Sequence, residues 1–187
     1  DTGRVIGIEA HEGHARFARE QKGLDVRPGL LHEIAPDLAP GSFDLVVMNH
    51  VLEHTTSPVE TLNTLKELLR PGAALVIEVP NIEAPGSRLS HFFHEAHHFC
   101  FSPQTMRRLA QKTGFAVRRV EALDGDLPGT RLFAVLEKPI TELALPASLA
   151  RDDAAARAAA LREYSRWYWL TLATFRKKIT HWKRQRL

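Results

Sequence analysis

The pattern of apolar and polar positions divides the first 140 residues into alternating strands and helices. Apolar runs of strand length occur at Val5–Ile8, Leu45–Met48 and Ala74–Val79. The second of these is unbroken, which is typical of a strand that is buried on both faces of a parallel sheet. Helical spacing of apolar residues predicts one helix over about residues 10–22, with Gly23 as its stop, and another that begins at residue 58. The alternation predicts an α/β fold.

Turn and cap residues mark the ends of these elements. Ser57-Pro58 and Ser102-Pro103 are helix starts, with serine as the N-cap and proline in the first turn. Residues 70–72 (Arg-Pro-Gly) are predicted to end the first of these two helices, and residues 30–42 form a loop with one helical turn. Two last strands, over 115–122 and 131–137, are predicted to close the sheet. The predicted sheet is therefore mostly parallel with an antiparallel edge strand.

Composition is ordinary for a globular protein. The 187 residues are 44% hydrophobic and 25% charged. A single cysteine, Cys100, excludes an internal disulfide framework and fits a reducing compartment. No apolar run approaches the roughly 20 residues that span a bilayer. These features predict a cytoplasmic protein.

The charge is distributed unevenly. Residues 151–187 contain 10 Lys or Arg against 3 Asp or Glu, whereas residues 1–150 are acidic overall. Beyond a connector at 141–150, apolar residues from Leu161 to Trp182 recur at spacings of four and three, which predicts one long basic amphipathic helix. We therefore divide the chain into a domain over residues 1–140 and an appendage over residues 141–187.

The predicted C-terminal helix has three interpretations. It could pack on its own domain or on a second copy to form a homodimer, or lie on an anionic membrane surface at the inner face of the membrane. Contact with nucleic acid is the least favoured interpretation, because runs of like charge are usually solvated helix faces.

Polar residues follow the central strand directly. Asn49, His50, Glu53 and His54 lie within six positions of its end. Open α/β sheets bind their ligands at the carboxyl ends of the strands. The sequence therefore places a candidate site here.

Three stretches, taken in order, identify a family. FDLVVMNHVLEH, RPGAALVIEVPN and the histidine-rich stretch that leads into FSP resemble class I S-adenosylmethionine-dependent methyltransferases of the small-molecule or glycan type, and are similar to the ubiquinone-pathway O-methyltransferases. The resemblance covers roughly residues 4–137. It implies a Rossmann-like sheet, S-adenosylmethionine as cofactor, and methyl transfer to an oxygen, less often a nitrogen or carbon, of a small-molecule, saccharide or lipid-linked acceptor.

The resemblance also implies roles for individual residues. Glu9, at the end of a strand, would hold the ribose hydroxyls of the cofactor, with helix capping as the alternative role for this acid. The remaining expected cofactor contacts are Ala10, Leu31, Asn49, His50 and Val51. Expected acceptor contacts are Asn81, His91 and His94.

Histidines are the expected catalytic groups. A histidine near its normal pKa suits removal of the acceptor proton, and His97 and His98 are preferred, followed by His54. The alternative role for these histidines is to fix the loop through hydrogen bonds. No metal site is expected. Metal binding by His50, Glu53 and His54 is the less favoured alternative, although their spacing could place them on one helical face.

Two departures from the family pattern concern the cofactor. No GxGxG-type loop occurs in the chain, and leucines stand at Leu30 and Leu31 where an acid for the adenine is expected. We therefore expect a sheet without its central first strand, and some 40 or more upstream residues, roughly one strand–helix unit. This chain alone would then be inactive. The competing hypothesis is a non-catalytic methyltransferase-like binding or scaffold module.

Overall fold

The structure is a computed structural model of the 187-residue chain. It describes residues 3–86, 92–125, 129–143, 155 and 158–162. Residues 158–162 are helical, but most of the predicted C-terminal helix lies outside the described residues. In the described part of the chain, no helix combines the length and apolarity that a membrane crossing requires.

The first unit is a strand–helix–strand. Strand β1 (Gly7–Glu9) pairs in parallel with β2 (Val26–Pro28), and helix α1 (Glu12–Lys22) connects them. The helix ends at Gly23, which adopts the left-handed conformation at φ 64° and donates its N–H to the Arg19 carbonyl. Glycine adopts this conformation without steric cost, so the predicted stop is confirmed.

A short helical segment leads to the main sheet. Helix α2 (Leu31–Ile34) is followed by a 3₁₀ turn at Ala35–Asp37. This matches the loop with one helical turn that the sequence predicts. Leu31 and Ile34 are partly buried against the main core, so the segment joins the first unit to the rest of the fold.

The main sheet has four strands in the order β3, β4, β6, β5. Strand β3 (Phe43–Asn49) pairs in parallel with β4 (Leu69–Pro80), and β6 (Arg131–Glu137) runs antiparallel between β4 and β5 (Ala116–Leu123). The strand pairings among the described residues are thus two parallel and two antiparallel. As the sequence predicts, one strand runs against the others, since β3, β4 and β5 share one direction. This antiparallel strand, β6, lies between β4 and β5 and not at the edge, because it returns from β5 as a hairpin and pairs with β4.

Two capped helices cover one face of this sheet. Helix α3 (Pro58–Leu68) starts at Ser57, whose hydroxyl accepts the Glu60 N–H, and α4 (Pro103–Lys112) starts at Ser102. Their inward residues belong to the core of the protein, together with alternate residues of the strands. Each fully buried leucine contributes roughly 1.5–3 kcal/mol. The core residues on the helices are Leu62, Leu65, Leu68, Met106 and Ala110.

The start of β4 differs from the prediction. The helix ends at Leu68, and Arg70-Pro71-Gly72 belong to the strand rather than to a separate stop. The pairing with β3 is irregular over this stretch and becomes regular from Ala74 onward. Gly72, at φ 81°, donates its N–H to the Lys138 carbonyl. This hydrogen bond to Lys138, which follows β6, extends β4 toward its start. The residues around Gly72 contain no local signal that predicts it.

The predicted burial of β3 on both faces is wrong. Met48 is buried in the core, but Leu45 and Val47 are 52% and 61% exposed. Their neighbours on the same face of the sheet, Val76 and Val135, are only partly buried. Helices α3 and α4 pack on the opposite face, and no described helix covers this one. The edge of β3 remote from β4 also has no strand partner among the described residues.

Candidate functional site

The carboxyl end of β3 begins the candidate site. Asn49, the last strand residue, is exposed, and the chain then turns at His50, which adopts φ 50°. Within the described ranges, His50 is the one non-glycine residue with positive φ. Its N–H donates to the Glu78 carbonyl at 2.8 Å, which fixes the turn against β4. The turn directs the next residues, including the exposed Val51, away from the sheet.

Glu53 lies at the centre of the residues that follow. It belongs to the 3₁₀ turn Leu52–His54 and is 1% exposed. Oε1 lies 3.2 Å from His50 Nδ1 and 3.8 Å from His54 Nε2. Oε2 is buried and has no hydrogen-bond partner among the described residues. A buried carboxylate oxygen without a partner is costly, so this atom is available to a cation or a donor.

The histidine-rich loop folds back over this turn. The Phe99 N–H donates to the Glu53 carbonyl at 3.2 Å. His54 Nδ1 lies 2.6 Å from the Ala96 carbonyl, and His97 Nδ1 lies 2.7 Å from the Phe92 carbonyl. The rings of His54 and His97 are 5.1 Å apart between centroids. Two histidines that are 43 positions apart in sequence thus meet beside Glu53.

The other histidines of the loop have different environments. The His94 ring lies beside that of His97, with centroids 3.9 Å apart and the rings tilted by 40°, and its Nδ1 accepts the Ala96 N–H. His98 is exposed. His91 lies outside the described residues. The structure therefore separates His97, which is half-buried and oriented by a hydrogen bond, from its neighbour His98.

Asn81 has its polar groups occupied by the backbone. The residue is 3% exposed, its Nδ2 donates to the Gly129 carbonyl at 2.8 Å, and its Oδ1 accepts the Glu83 N–H. These bonds join the end of β4 to the turn before β6. Asn81 thus shapes the loop after β4, and its expected contact with an acceptor stays a prediction.

The expected cofactor residues line the ends of β1 and α2. Glu9 is half-buried, and its Oε1 accepts the His11 N–H at 2.8 Å. Glu9 thus bonds to the backbone of His11, which caps α1 with its own side chain, and this bond occupies one of the two carboxylate oxygens. Ala10 is exposed beside it, whereas Leu31 is partly buried against the core. The edge of β1 remote from β2 has no strand partner among the described residues.

The site also contains Glu78 and Arg131, which the sequence did not predict as site residues. Arg131 Nη1 lies 3.2 Å from Glu78 Oε1, and the same carboxylate oxygen lies 3.6 Å from His50 Nε2. Both ring nitrogens of His50 therefore face carboxylates, those of Glu53 and Glu78. The acid in RPGAALVIEVPN was the available signal, since a lone charged residue interrupts an otherwise apolar strand.

The geometry described above agrees with the family that the chain matches. A model of the family described as methyltransferase domain matches residues 4–120. The chain belongs to this methyltransferase domain family. This confirms the resemblance to class I S-adenosylmethionine-dependent methyltransferases, the class whose cofactor is S-adenosylmethionine.

Two relatives illustrate the similarity in sequence. A ubiquinone biosynthesis O-methyltransferase from Ruegeria pomeroyi is 34% identical over 82 residues, which cover 41% of this chain and 32% of the relative. An uncharacterized 37.1 kDa protein in transposon TN4556 of Streptomyces fradiae is 29% identical over 133 residues, covering 64% and 38%. The matched part of the chain thus spans about a third of the length of each relative.

Solved structures share the fold. An S-adenosylmethionine-dependent methyltransferase from Archaeoglobus fulgidus aligns with a TM-score of 0.57 and 19% identity over 71% of this chain and 75% of the other. One from Mesorhizobium loti aligns with a TM-score of 0.55 and 18% identity over 72% and 80%. These similarities establish a Rossmann-like methyltransferase fold.

Proposed function

We propose that this chain is the acceptor-binding part and half of the cofactor-binding part of an S-adenosylmethionine-dependent methyltransferase that acts on oxygen. The observation that supports this most directly is the arrangement at the strand ends. An acid, Glu9, ends β1, and the buried Glu53 with its histidines follows β3. In doubly wound sheets, ligands bind at this edge of the sheet.

The cofactor half of the proposal concerns β1 and β3. Glu9 retains one carboxylate oxygen that no backbone N–H uses among the described residues, and it is positioned to accept a ribose hydroxyl. Asn49 and Val51 are exposed at the end of β3 and would flank the methionine part of the cofactor. Leu31 remains the expected apolar contact for the adenine.

The acceptor half concerns His54 and His97. In the proposed step the acceptor oxygen attacks the methyl carbon, the bond from that carbon to sulfur breaks, and the electron pair stays on sulfur to give S-adenosylhomocysteine. The oxygen gives up its proton to an imidazole nitrogen of His54 or His97. His98 remains a further predicted base, and His94 and His91 remain predicted acceptor contacts.

A further strand between β1 and β3 would complete the site. Both strands have unpaired edges among the described residues, and one face of β3 is uncovered. A parallel strand followed by a glycine-rich turn and a helix would fill this gap, and would supply the backbone N–H groups that anions and cofactors use at helix N-termini. This segment is the upstream unit that the sequence analysis predicts.

The test is a calorimetric titration of S-adenosylhomocysteine. We expect binding to the natural gene product, including whatever precedes residue 1, and weak or no binding to the 187-residue chain alone. Glu9→Gln in the longer protein should weaken binding about tenfold or more, because it removes a charged hydrogen-bond acceptor worth roughly 1.5–3 kcal/mol. Glu12→Gln, at an exposed acid in the next helix, is the control.

The outcomes separate the enzyme from the scaffold hypothesis. Absence of binding to both proteins would contradict methyl transfer and favour a non-catalytic module. The saccharide, small-molecule or lipid-linked nature of the acceptor is proposed from the family alone. A cytoplasmic location, a homodimer and a peripheral membrane contact through the C-terminal segment stay proposals as well.

A further inference from the structure

We propose that Glu53, His54 and His97 form a binding site for a divalent transition-metal ion of the zinc type. One ligand atom from each residue lies within 4.8 Å of the other two. Two imidazoles and one carboxylate are a ligand set that holds zinc with a fourth position open. The third ligand comes from the histidine-rich loop, so the site differs from the His50, Glu53 and His54 set that local spacing suggests.

The hydrogen bonds of His54 and His97 determine which ring nitrogen of each can bind a metal ion. In both rings Nδ1 faces a backbone carbonyl, that of Ala96 for His54 and that of Phe92 for His97. A carbonyl only accepts, so Nδ1 must hold the proton and, in the neutral imidazole, Nε2 has the lone pair. A backbone carbonyl that binds the far nitrogen is the usual support of a metal-ligating histidine, since it sets both tautomer and ring orientation.

The carboxylate provides the second, independent observation. Glu53 is 1% exposed, and its Oε2 has no hydrogen-bond partner among the described residues. A buried carboxylate oxygen without a partner is expensive unless a donor or a cation compensates it. The other oxygen, Oε1, already lies near His50 and His54. A bound cation would give Oε2 the partner that it lacks.

The distances allow closure by small ring movements. Zinc–nitrogen and zinc–oxygen bonds of about 2.0–2.1 Å place the ligand atoms of a tetrahedral ion roughly 3.4 Å apart. His54 Nε2 already lies 3.8 Å from Glu53 Oε1. His54 is exposed and His97 is half-buried, so both rings can rotate toward the ion while Glu53 stays in place.

Neighbouring histidines are poorer ligands, and this gives the experiment its controls. His94 uses Nδ1 to accept the Ala96 N–H, and its ring is tilted by 40° against that of His97. His98 is adjacent in sequence to His97 but is exposed, and it does not belong to the cluster. His11 and His14 on α1 lie next to each other, with ring centroids 4.4 Å apart, and represent an adventitious surface pair.

A metal ion at this site would change how the acceptor loses its proton, a consequence that rests on the proposed methyl transfer. A zinc ion lowers the pKa of a hydroxyl group bound at its open position. The acceptor would then lose its proton to solvent near neutral pH, and its oxygen would attack the methyl carbon as the bond from that carbon to sulfur breaks. His54 and His97 would hold the ion, and neither would be the base that takes the proton.

The experiment is a calorimetric titration of ZnCl₂ into metal-free 187-residue protein without a polyhistidine tag. We expect one high-affinity zinc ion per chain. His97→Ala should weaken this binding about 100-fold or more, since even supporting residues of metal ligands change affinity 10–100-fold. His98→Ala should leave the affinity unchanged, and so should the double variant His11→Ala/His14→Ala. Cobalt(II), whose visible spectrum reports coordination geometry, provides a second readout.

Each result decides the proposal. Absence of stoichiometric binding would overturn it, and so would His98→Ala and His97→Ala weakening zinc binding equally. Glu53→Gln is a second variant that removes a ligand. If this substitution of a buried residue prevents folding, His97→Ala still tests the proposal. Zinc binding without S-adenosylhomocysteine binding in the longer protein would contradict methyl transfer alone, whereas the reverse result would contradict the metal site alone.

Discussion

Two residues directly after β3 adopt states that a folded chain ordinarily avoids. His50 has a left-handed backbone, which costs a non-glycine residue roughly 1–2 kcal/mol. Glu53 buries a carboxylate with one oxygen unpaired among the described residues. Such features persist only where the surrounding structure holds them, and they concentrate at functional sites. The same short turn therefore contains both the strain and the candidate chemistry.

Cys100 provides a prediction at the residue scale. The side chain is half-buried, and burial raises the pKa of its thiol. The thiolate is the reactive form. Alkylation by iodoacetamide at pH 8 should therefore be slower in the folded protein than in the protein unfolded in urea. The rise of the alkylation rate with pH should also occur at a higher pH in the folded protein. Mass spectrometry of the modified peptide measures both rates.

The raised pKa of Cys100 also determines how the stability of the fold changes with pH. An acid whose pKa is higher in the folded state contributes stability below the ordinary thiol pKa, and this contribution is lost as the pH rises through the raised value. Equal alkylation rates in the folded and unfolded protein would contradict the prediction. Cys100→Ser is the control for alkylation at other side chains, since no other cysteine occurs in the chain.

Helix α4 depends on its N-cap, which gives a prediction at the element scale. Ser102 is fully buried, its Oγ accepts the Thr105 N–H at 3.2 Å, and its own N–H donates to Thr105 Oγ1 at 2.8 Å. Ser102→Ala removes an acceptor for one N–H of the first turn. The free energy of unfolding in urea should fall by about 1–2 kcal/mol.

A nearby substitution provides the comparison for the cap. Thr56 is exposed and lies one position before the cap of α3. Thr56→Ala should change the free energy of unfolding by less than about 0.5 kcal/mol. A Ser102→Ala protein as stable as the Thr56→Ala protein would show that solvent satisfies the Thr105 N–H, and would contradict the assigned role of the cap.

Elements with local signals were predicted well. The serine caps, the glycine stop at Gly23 and the helical spacing of apolar residues identified α1, α3 and α4, because each signal lies within a few residues of the feature that it determines. The start of β4 at Leu69 was missed, since a bond to Lys138 extends the strand from elsewhere in the chain.

The candidate site was predictable only in part, for a similar reason. The end of β3 follows from the apolar run, so the position of His50 and His54 could be predicted from sequence. The contact of His54 with His97 depends on a loop that folds back 43 positions later. The backbone carbonyl of Glu53 also bonds to Phe99, which follows that same loop. No local pattern distinguishes His97 from His98, although the structure gives them different environments.

At the scale of the whole molecule, the described residues depart from a complete doubly wound fold mainly at one face of the sheet, which no described helix covers. Leu45 and Val47 are exposed on β3, and Val76, Phe133 and Val135 continue the same face. Sheets with parallel strands normally bury both faces. The proposed strand and helix between β1 and β3 would cover this surface and bring the glycine-rich turn to the cofactor.

Val47→Thr tests this coverage, because threonine keeps the shape of valine and adds a hydroxyl group. In the 187-residue chain Val47 is 61% exposed, so the free energy of unfolding should change by less than about 0.5 kcal/mol. In a protein that carries the proposed strand and helix, where the side chain would be buried, the same change should cost about 1–3 kcal/mol. Val79→Thr, at a position that is fully buried in β4, should cost about 1–3 kcal/mol in both proteins. Equally small effects of Val47→Thr in the two proteins would mean that no added strand and helix cover β3.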